Sequence, residues 1–336
     1  MRGIYIVYAQ LIVVSCSLIS LATAKEFKVV ASGKTALYEY YGVELQDLSS
    51  AAYNGNGRLV LGFDGGRNAQ HPEVRVVDVT KPNKKALLLD RQIVQKDIEG
   101  MTFINDRVYL ISSLSQTSEE TKDFRILSKM TLNDDATEVA SEEYVYLRER
   151  LLSILGKEFK NDAWFSRISS SFGKLGGLNV EGLSASDKKG QLVIGLRSPL
   201  WHKNFGAPSF GPSMKLNVGE AILVFYDDPF DAESKVSVKT IDLKGQGIRG
   251  MEYSAKLDAY IIISGMAEKG NLYRLWLLDR SSFSLTELKV KGFDNLCRPE
   301  AIAVVDEESY FYILSEESGK ACQNSTVTYL KVAYGD

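Results

Sequence analysis

Four short stretches put a charged residue directly before a small one: Glu99-Gly100, Glu181-Gly182, Arg249-Gly250 and Glu300-Ala301. Further charges stand just past strand-like runs, with Asp64 in GFDGGR, Arg67 after the Gly65-Gly66 pair, and Arg197 in GLRSP. Carboxylates and guanidiniums mixed in this way can bind a polar or anionic ligand or clamp a cation. In a functional reading, Arg67, Glu99, Arg197 and Arg249 hold the ligand. Glu181 or Glu300 positions a water, and Asp64 is a candidate metal ligand. In a structural reading, the same residues form Glu–Arg pairs and accept backbone N–H bonds in turns. Arg249 occupies a position where three other copies carry Glu, so a contact between it and a Glu would relieve carboxylate repulsion.

Other candidates are isolated. His202 lies in the glycine-rich segment SPLWHKNFGAPSFGPSMKLNVGEA (198–221), which also carries Trp201, Lys203 and Phe205 and reads as a pocket wall. It is a candidate base or ligand contact, or an ordinary surface histidine. The second histidine, His71, is far away in sequence, and the two show no metal spacing. Asp227 and Asp228, before Pro229, read as turn residues. No G-x-S-x-G elbow, P-loop or dense Asp-x-Asp array is present.

The elements that would position these residues are strands. Short β-rich runs recur, among them RLVLGF (58–63), RVYLIS (107–112), QLVIGL (191–196), AYIIISG (259–265) and YFYILS (310–315). In register, five segments repeat: 45–63, 98–113, 180–196, 248–265 and 299–316. Each has a short semi-apolar strand, a polar turn and a stronger apolar strand. A third strand generally follows and often a fourth, such as KVSVKTIDL (235–243) or FSLTELKVKG (283–292). The second residues of the motifs are Gln46, Glu99, Glu181, Arg249 and Glu300, at separations of 53, 82, 68 and 51 residues.

One four-stranded sheet cannot bury both of its faces, but a ring of such sheets can. The expectation is an all-β fold: a β-propeller of five blades, about four antiparallel strands each, with six blades left open by the 114–178 region. The segment KTALYEYYG (34–42) is expected to complete the last blade. A sandwich explains the strands but not the recurring turn, and an α/β barrel lacks its helices. The longest gap holds a helical insertion near 147–178. Leu147, Leu151, Ile154 and Leu155 share one helical face, and 161–177 reads as a loop or lid.

The chain has 336 residues, 25% charged, with a formal net charge of -3. That is globular composition, and no basic stripe points to nucleic acid. Residues 1–24 read as a signal peptide ending in the small-x-small pattern Ala22-Thr23-Ala24, which leaves 25–336 as a single propeller domain. An uncleaved membrane anchor and lipidation at Cys16 are the alternatives. No later segment is long and apolar enough to span a bilayer, so the mature chain is expected to be secreted or periplasmic and monomeric. Cys297 and Cys322 can pair in an oxidising compartment or stay as buried thiols. Asn324-Ser325-Thr326 is a glycosylation sequon in a eukaryotic secretory pathway.

The stretches VEGLSAS…LVIGLRSPL, IDLKGQGIRGMEY…YIIISG and RPEAIAV…YFYILSE resemble the bacterial DUF3616 family over most of the chain after about residue 40. More remotely, the chain resembles the esterase-like-phytase propellers, in which such repeats surround a polar centre. The first resemblance implies no reaction. The second would nominate Glu99, Glu181, Arg197, Arg249 and Glu300, without a nucleophile or a metal cage. Two functions follow as expectations. One is a propeller binding a small polar or anionic ligand, or a cell-envelope partner, at one face. The other is a phosphate-ester hydrolase, with Ca²⁺ or Mg²⁺ as its possible cofactor.

Overall fold

The second strand of every repeat is apolar at nearly every position, which suits a strand covered on both faces. In the computed structural model these strands are buried along almost their whole length: β5 (Arg58–Phe63), β9 (Arg107–Ser112), β13 (Leu192–Ser198), β17 (Ala259–Gly265) and β21 (Tyr310–Ser315). The structure describes residues 26–33, 39–40, 43–44, 48–63, 74–78, 87–88, 95, 97–116, 125–134, 136, 138–170, 177–188, 190–205, 218–267, 270–316, 322 and 327–335.

Five antiparallel four-stranded sheets form the blades. Blade I is β4 (Leu48–Tyr53), β5, β6 (Val74–Asp78) and β7 (Leu87–Leu88). Blade II is β8 (Ile98–Ile104), β9, β10 (Ile126–Leu132) and β11 (Val139–Tyr146). Blade III is β12 (Asn179–Ala185), β13, β14 (Ala221–Tyr226) and β15 (Val236–Ile241). Blade IV is β16 (Gly247–Ser254), β17, β18 (Tyr273–Asp279) and β19 (Leu285–Leu288). Blade V is β20 (Pro299–Val305), β21, β22 (Tyr329–Tyr334) and β1 (Phe27–Gly33). A two-stranded hairpin, β2 (Glu39–Tyr40) and β3 (Val43–Glu44), lies between β1 and blade I in sequence.

The inner strands touch in the order β4, β8, β12, β16, β20 and back to β4, so the ring is closed with five blades. Among the described residues, the 114–178 region holds no sixth blade. Its 126–146 part supplies the two outer strands of blade II. The closing strand is also not 34–42 but its upstream neighbour β1, which pairs with β22 from Phe27↔Tyr334 to Gly33↔Tyr329. In β1 the alternate residues Phe27 and Val29 pack against the core, while Lys28 and Val30 face solvent.

Five apolar layers fill the five gaps between blades. The alternation of a strand is visible in β17. Tyr260 and Ile262 face blade III, and Ile261 and Ile263 face blade V. Each buried Leu or Ile of this kind contributes roughly 1.5–3 kcal/mol.

The insertion is two helices, α1 (Arg148–Phe159) and α2 (Asp162–Ser170). The second takes the first part of the expected loop or lid, and 171–176 lie outside the described residues. Asn161 caps it by accepting the Trp164 N–H (3.0 Å), and Trp164 and Ile168, one turn apart, are buried against blades II and III. Cys297 and Cys322 form a disulfide, which ties the segment leading into β20 to the β21–β22 connection. It closes a loop with a sequence separation of 25 residues, worth about 3–4 kcal/mol in the chain-entropy model. Asp64, Arg67, Cys16 and Asn324 lie outside the described residues, as does the signal segment.

The small residue of three motifs is set by neighbouring blades. A Cβ on Gly100 would come within 2.8 Å of Leu183, and one on Gly182 within 2.8 Å of Ile248. On Gly250 it would run into the Glu300 carbonyl oxygen. Gly250→Ala should therefore destabilise the protein by about 2–3 kcal/mol. Gly335→Ala, at a site open within 4 Å, should change stability by less than about 0.5 kcal/mol. Urea unfolding of both variants checks this.

Candidate functional site

Every inner strand carries a β-bulge at the same place. Pairing skips Ser49 between Leu48 and Ser50, Glu99 between Ile98 and Gly100, and Glu181 between Val180 and Gly182. It skips Arg249 between Ile248 and Gly250, and Glu300 between Pro299 and Ala301. A bulge leaves one residue out of the ladder and re-aims its side chain. Here all five line the axial cavity or reach a group that does. The blade I counterpart is thus Ser49, three residues after Gln46, which lies outside the described residues. The Ser49 hydroxyl donates to the Ile98 carbonyl of blade II.

Arg249 sits between two glutamates. Its Nη1 is 2.6 Å from Glu300 Oε1 and 3.3 Å from Glu181 Oε2. Glu181 Oε1 also accepts from Arg197 Nη1 (2.5 Å) and from the Asn179 amide (3.2 Å). The Arg249 stem passes over Gly265, and its guanidinium faces the Tyr273 ring at 5.7 Å. The set therefore joins blades III, IV and V. Glu181, Arg249 and Glu300 are buried, and Arg197 forms the edge, with 18% of its side chain exposed. Glu99 lines the same cavity from blade II and adds to the field on Arg249. The space left among Ser49, Glu99, Glu181, Gly250 and Glu300 is about 10 Å³, at the lower limit for one water.

Burial works against the Arg249 charge, but Glu181 and Glu300 outweigh it, so its pKa lies above the ordinary arginine value. Burial pushes the Glu300 carboxyl up to about 8, against the pull of Arg249 and with help from the Glu181 charge. The balance is three carboxylates against two guanidiniums, so retaining a proton removes the uncompensated charge.

The remaining expected residues fall elsewhere. His202 lies in the turn after Trp201, and its Nδ1 accepts from the Asn204 N–H (3.2 Å). Of the segment read as a pocket wall, 206–217 lie outside the described residues, and the part before them packs on the helical insertion. Trp201 stacks on Phe159 at 4.3 Å and meets Trp164 edge-on, and Phe205 joins the same cluster. Asp228 Oδ1 accepts the Phe230 N–H and Asp227 binds Lys188 and Gln191, so both serve turns. Among the described residues, no group of three or more His, Cys, Asp or Glu is arranged to hold a metal ion.

Two residues of this mouth went unread in the sequence. Tyr273 carries no repeat signal, and Asn179 precedes its motif by two positions. A third, Glu252, lies at the other end of the channel. It is buried, with its Oε1 accepting from the Thr102 hydroxyl (2.8 Å). Its register equivalents, counted from the bulges, are Ala52, Thr102, Ser184 and Ala303, so one carboxyl among small residues was the available signal.

Glu181, Arg197 and Arg249 all fall within the part of the chain that a family model covers. Residues 134–275 match DUF3616. The family is described as a protein of unknown function. The DUF3616 match runs from the connection after β10 into β18 and leaves Glu99 and Glu300 outside it. The five-bladed fold is also consistent with the remoter likeness to esterase-like-phytase propellers. No curated protein matches the chain. Among solved structures, a chain of a mitotic checkpoint complex is 11% identical, with a TM-score of 0.36, over 85% of this chain and 62% of that one. The WD40 repeats of RRP9 are 7% identical, with a TM-score of 0.41, over 93% of this chain and all of that one.

The raised Glu300 pKa has a consequence for stability. Between about pH 4.3, the ordinary glutamate value, and about 8, the folded state holds a proton that the unfolded state releases. Stability contributed by this group is therefore lost as pH rises through that window. Glu300→Gln should make the fall between pH 5 and pH 8 shallower than in the parent, by on the order of 1–3 kcal/mol. Urea unfolding at the two pH values checks this, and equal slopes contradict it.

Proposed function

We propose that this chain is an exported, monomeric binding propeller that takes a small anionic ligand at the mouth where its inner strands begin. The observation that supports this is the convergence of Glu99, Glu181, Arg249 and Glu300 from four blades, with Arg197 at the exposed edge. An anion reaching this mouth meets Arg197 first. It exchanges with Glu181 for the guanidinium, and Arg249 behind keeps Glu181 compensated. Arg67 is the further ligand contact of this reading.

Binding is favoured over phosphate-ester hydrolysis by the pairing within the cluster. Hydrolysis would need both Arg197 and Arg249 released from their carboxylates to clamp a substrate, whereas binding releases only Arg197 at the edge. Glu181 and Glu300, the candidates for positioning water, are the partners they would have to give up. His202 is the remaining candidate base of the hydrolase reading. Export rests on the signal-like residues 1–24, and among the described residues no helix is long and apolar enough to cross a membrane.

Calorimetric titration with inorganic phosphate, citrate and glucose 6-phosphate tests the reading. At least one should bind, and Arg197→Ala should weaken it at least tenfold. A p-nitrophenyl phosphate assay, with and without Ca²⁺ or Mg²⁺, should stay at background. Turnover that depends on Arg197 would establish the hydrolase instead, and absence of any binding would remove the anion site.

A further inference from the structure

The opposite mouth of the channel is built from the turns between first and second strands. These turns enclose a cavity of about 410 Å³ to which all five blades contribute. That lies within the usual size range of small-molecule sites. Its walls hold three aromatic rings, Tyr53, Phe103 and Tyr253, and four carboxyl groups, Asp187, Glu252, Asp306 and Glu307. Among the described residues the lining includes no Lys or Arg. Asp187 pairs with Arg280 at 2.9 Å, and Asp306 accepts the Ala255 N–H (2.7 Å) and the Tyr334 hydroxyl (2.6 Å). The Tyr253 hydroxyl donates to Asp258 (2.8 Å), which holds its ring at the wall.

Glu252 differs from the other carboxyls. It is 8% exposed, and its Oε1 accepts from the Thr102 hydroxyl (2.8 Å). Its Oε2 is buried without a hydrogen-bond partner among the described residues. A buried polar atom left in this state requires an explanation. Burial raises the Glu252 pKa well above the usual carboxyl value, opposed by the Thr102 hydroxyl, the Tyr253 N–H and the Ser184 hydroxyl and reinforced by the Asp306 charge.

We propose that this cavity is a second ligand site, distinct from the anion-binding mouth, and that it takes a small primary ammonium compound whose N–H donates to Glu252 Oε2. The carboxyl groups supply the field for a cation. The faces of Tyr53, Phe103 and Tyr253 favour a positive charge over a neutral solute. The unbonded oxygen selects an ammonium with N–H over one without.

Titration of the purified protein at low ionic strength with ethanolamine, choline and glucose tests the assignment. Ethanolamine and choline share a hydroxyethyl skeleton and a unit charge but differ in N–H donors. Ethanolamine should bind, with choline at least tenfold weaker and glucose giving no heat. Glu252→Gln, which keeps the side-chain shape, should weaken ethanolamine at least tenfold. Should that variant fail to fold, Asp187→Asn at the rim is the second probe, expected to weaken ethanolamine three- to tenfold. No ethanolamine binding, glucose binding as well as ethanolamine, or unchanged affinity in the folded variants would overturn the assignment.

Discussion

Five strand starts meet on one axis, and the space between them is too small to solvate the charges they carry. Arg249 is the group that makes this arrangement stable. It stands between Glu181 and Glu300, and without it two buried carboxylates would face each other at low dielectric. The bulges aim these side chains inward, and the small residue after each bulge lets the neighbouring blade come close enough for the pairs to form. Pairing and ring closure are therefore one constraint. A bulky residue at Gly250 or an apolar one at position 249 would attack the same contact from two sides.

The two ends of the channel differ for the same reason. At the strand starts, opposite charges from blades III, IV and V neutralise one another and leave a volume of about one water. At the strand ends, carboxyls gather without cations among the described lining residues, and the turns spread apart around a much larger cavity. Among the described residues, no guanidinium stands beside the Glu252 carboxyl as Arg249 does beside Glu300. The chemistry available at each end follows from this: ion exchange at the edge of a closed cluster, and cation capture in an open acidic cup.

Much of the architecture was legible in the sequence because burial on both faces leaves a continuous apolar run. RLVLGF, QLVIGL and AYIIISG could hardly be anything but covered strands. Glu99, Glu181, Arg249 and Glu300 were placed in register correctly, since a charge before a small residue is a local signal. Blade I was misregistered at Gln46 because Ser49-Ser50 keeps the small residue but lacks the charge. The closing strand was misplaced because its partner is at the far end of the chain, where Phe27 meets Tyr334, and no local pattern reports such a pairing. Helix α2 was hidden in a Ser-rich stretch whose two buried residues, Trp164 and Ile168, become informative only beside α1. Glu252 was missed because a polar residue in an inner strand reads as ordinary alternation until the ring shows that the position is buried.

A double-mutant cycle on Arg249 and Glu300 tests the central contact most directly. Arg249→Met, Glu300→Met and the double variant would each be unfolded in urea at about pH 9, above the Glu300 pKa of about 8, where both carboxyls are ionised. The single Arg249→Met should lose about 3–5 kcal/mol, because it leaves buried carboxylates uncompensated. The double variant should recover part of that loss, with a coupling of about 2–3 kcal/mol between the two positions. Additive losses, with a coupling near zero, would contradict the account: the axis would then be held by blade packing alone.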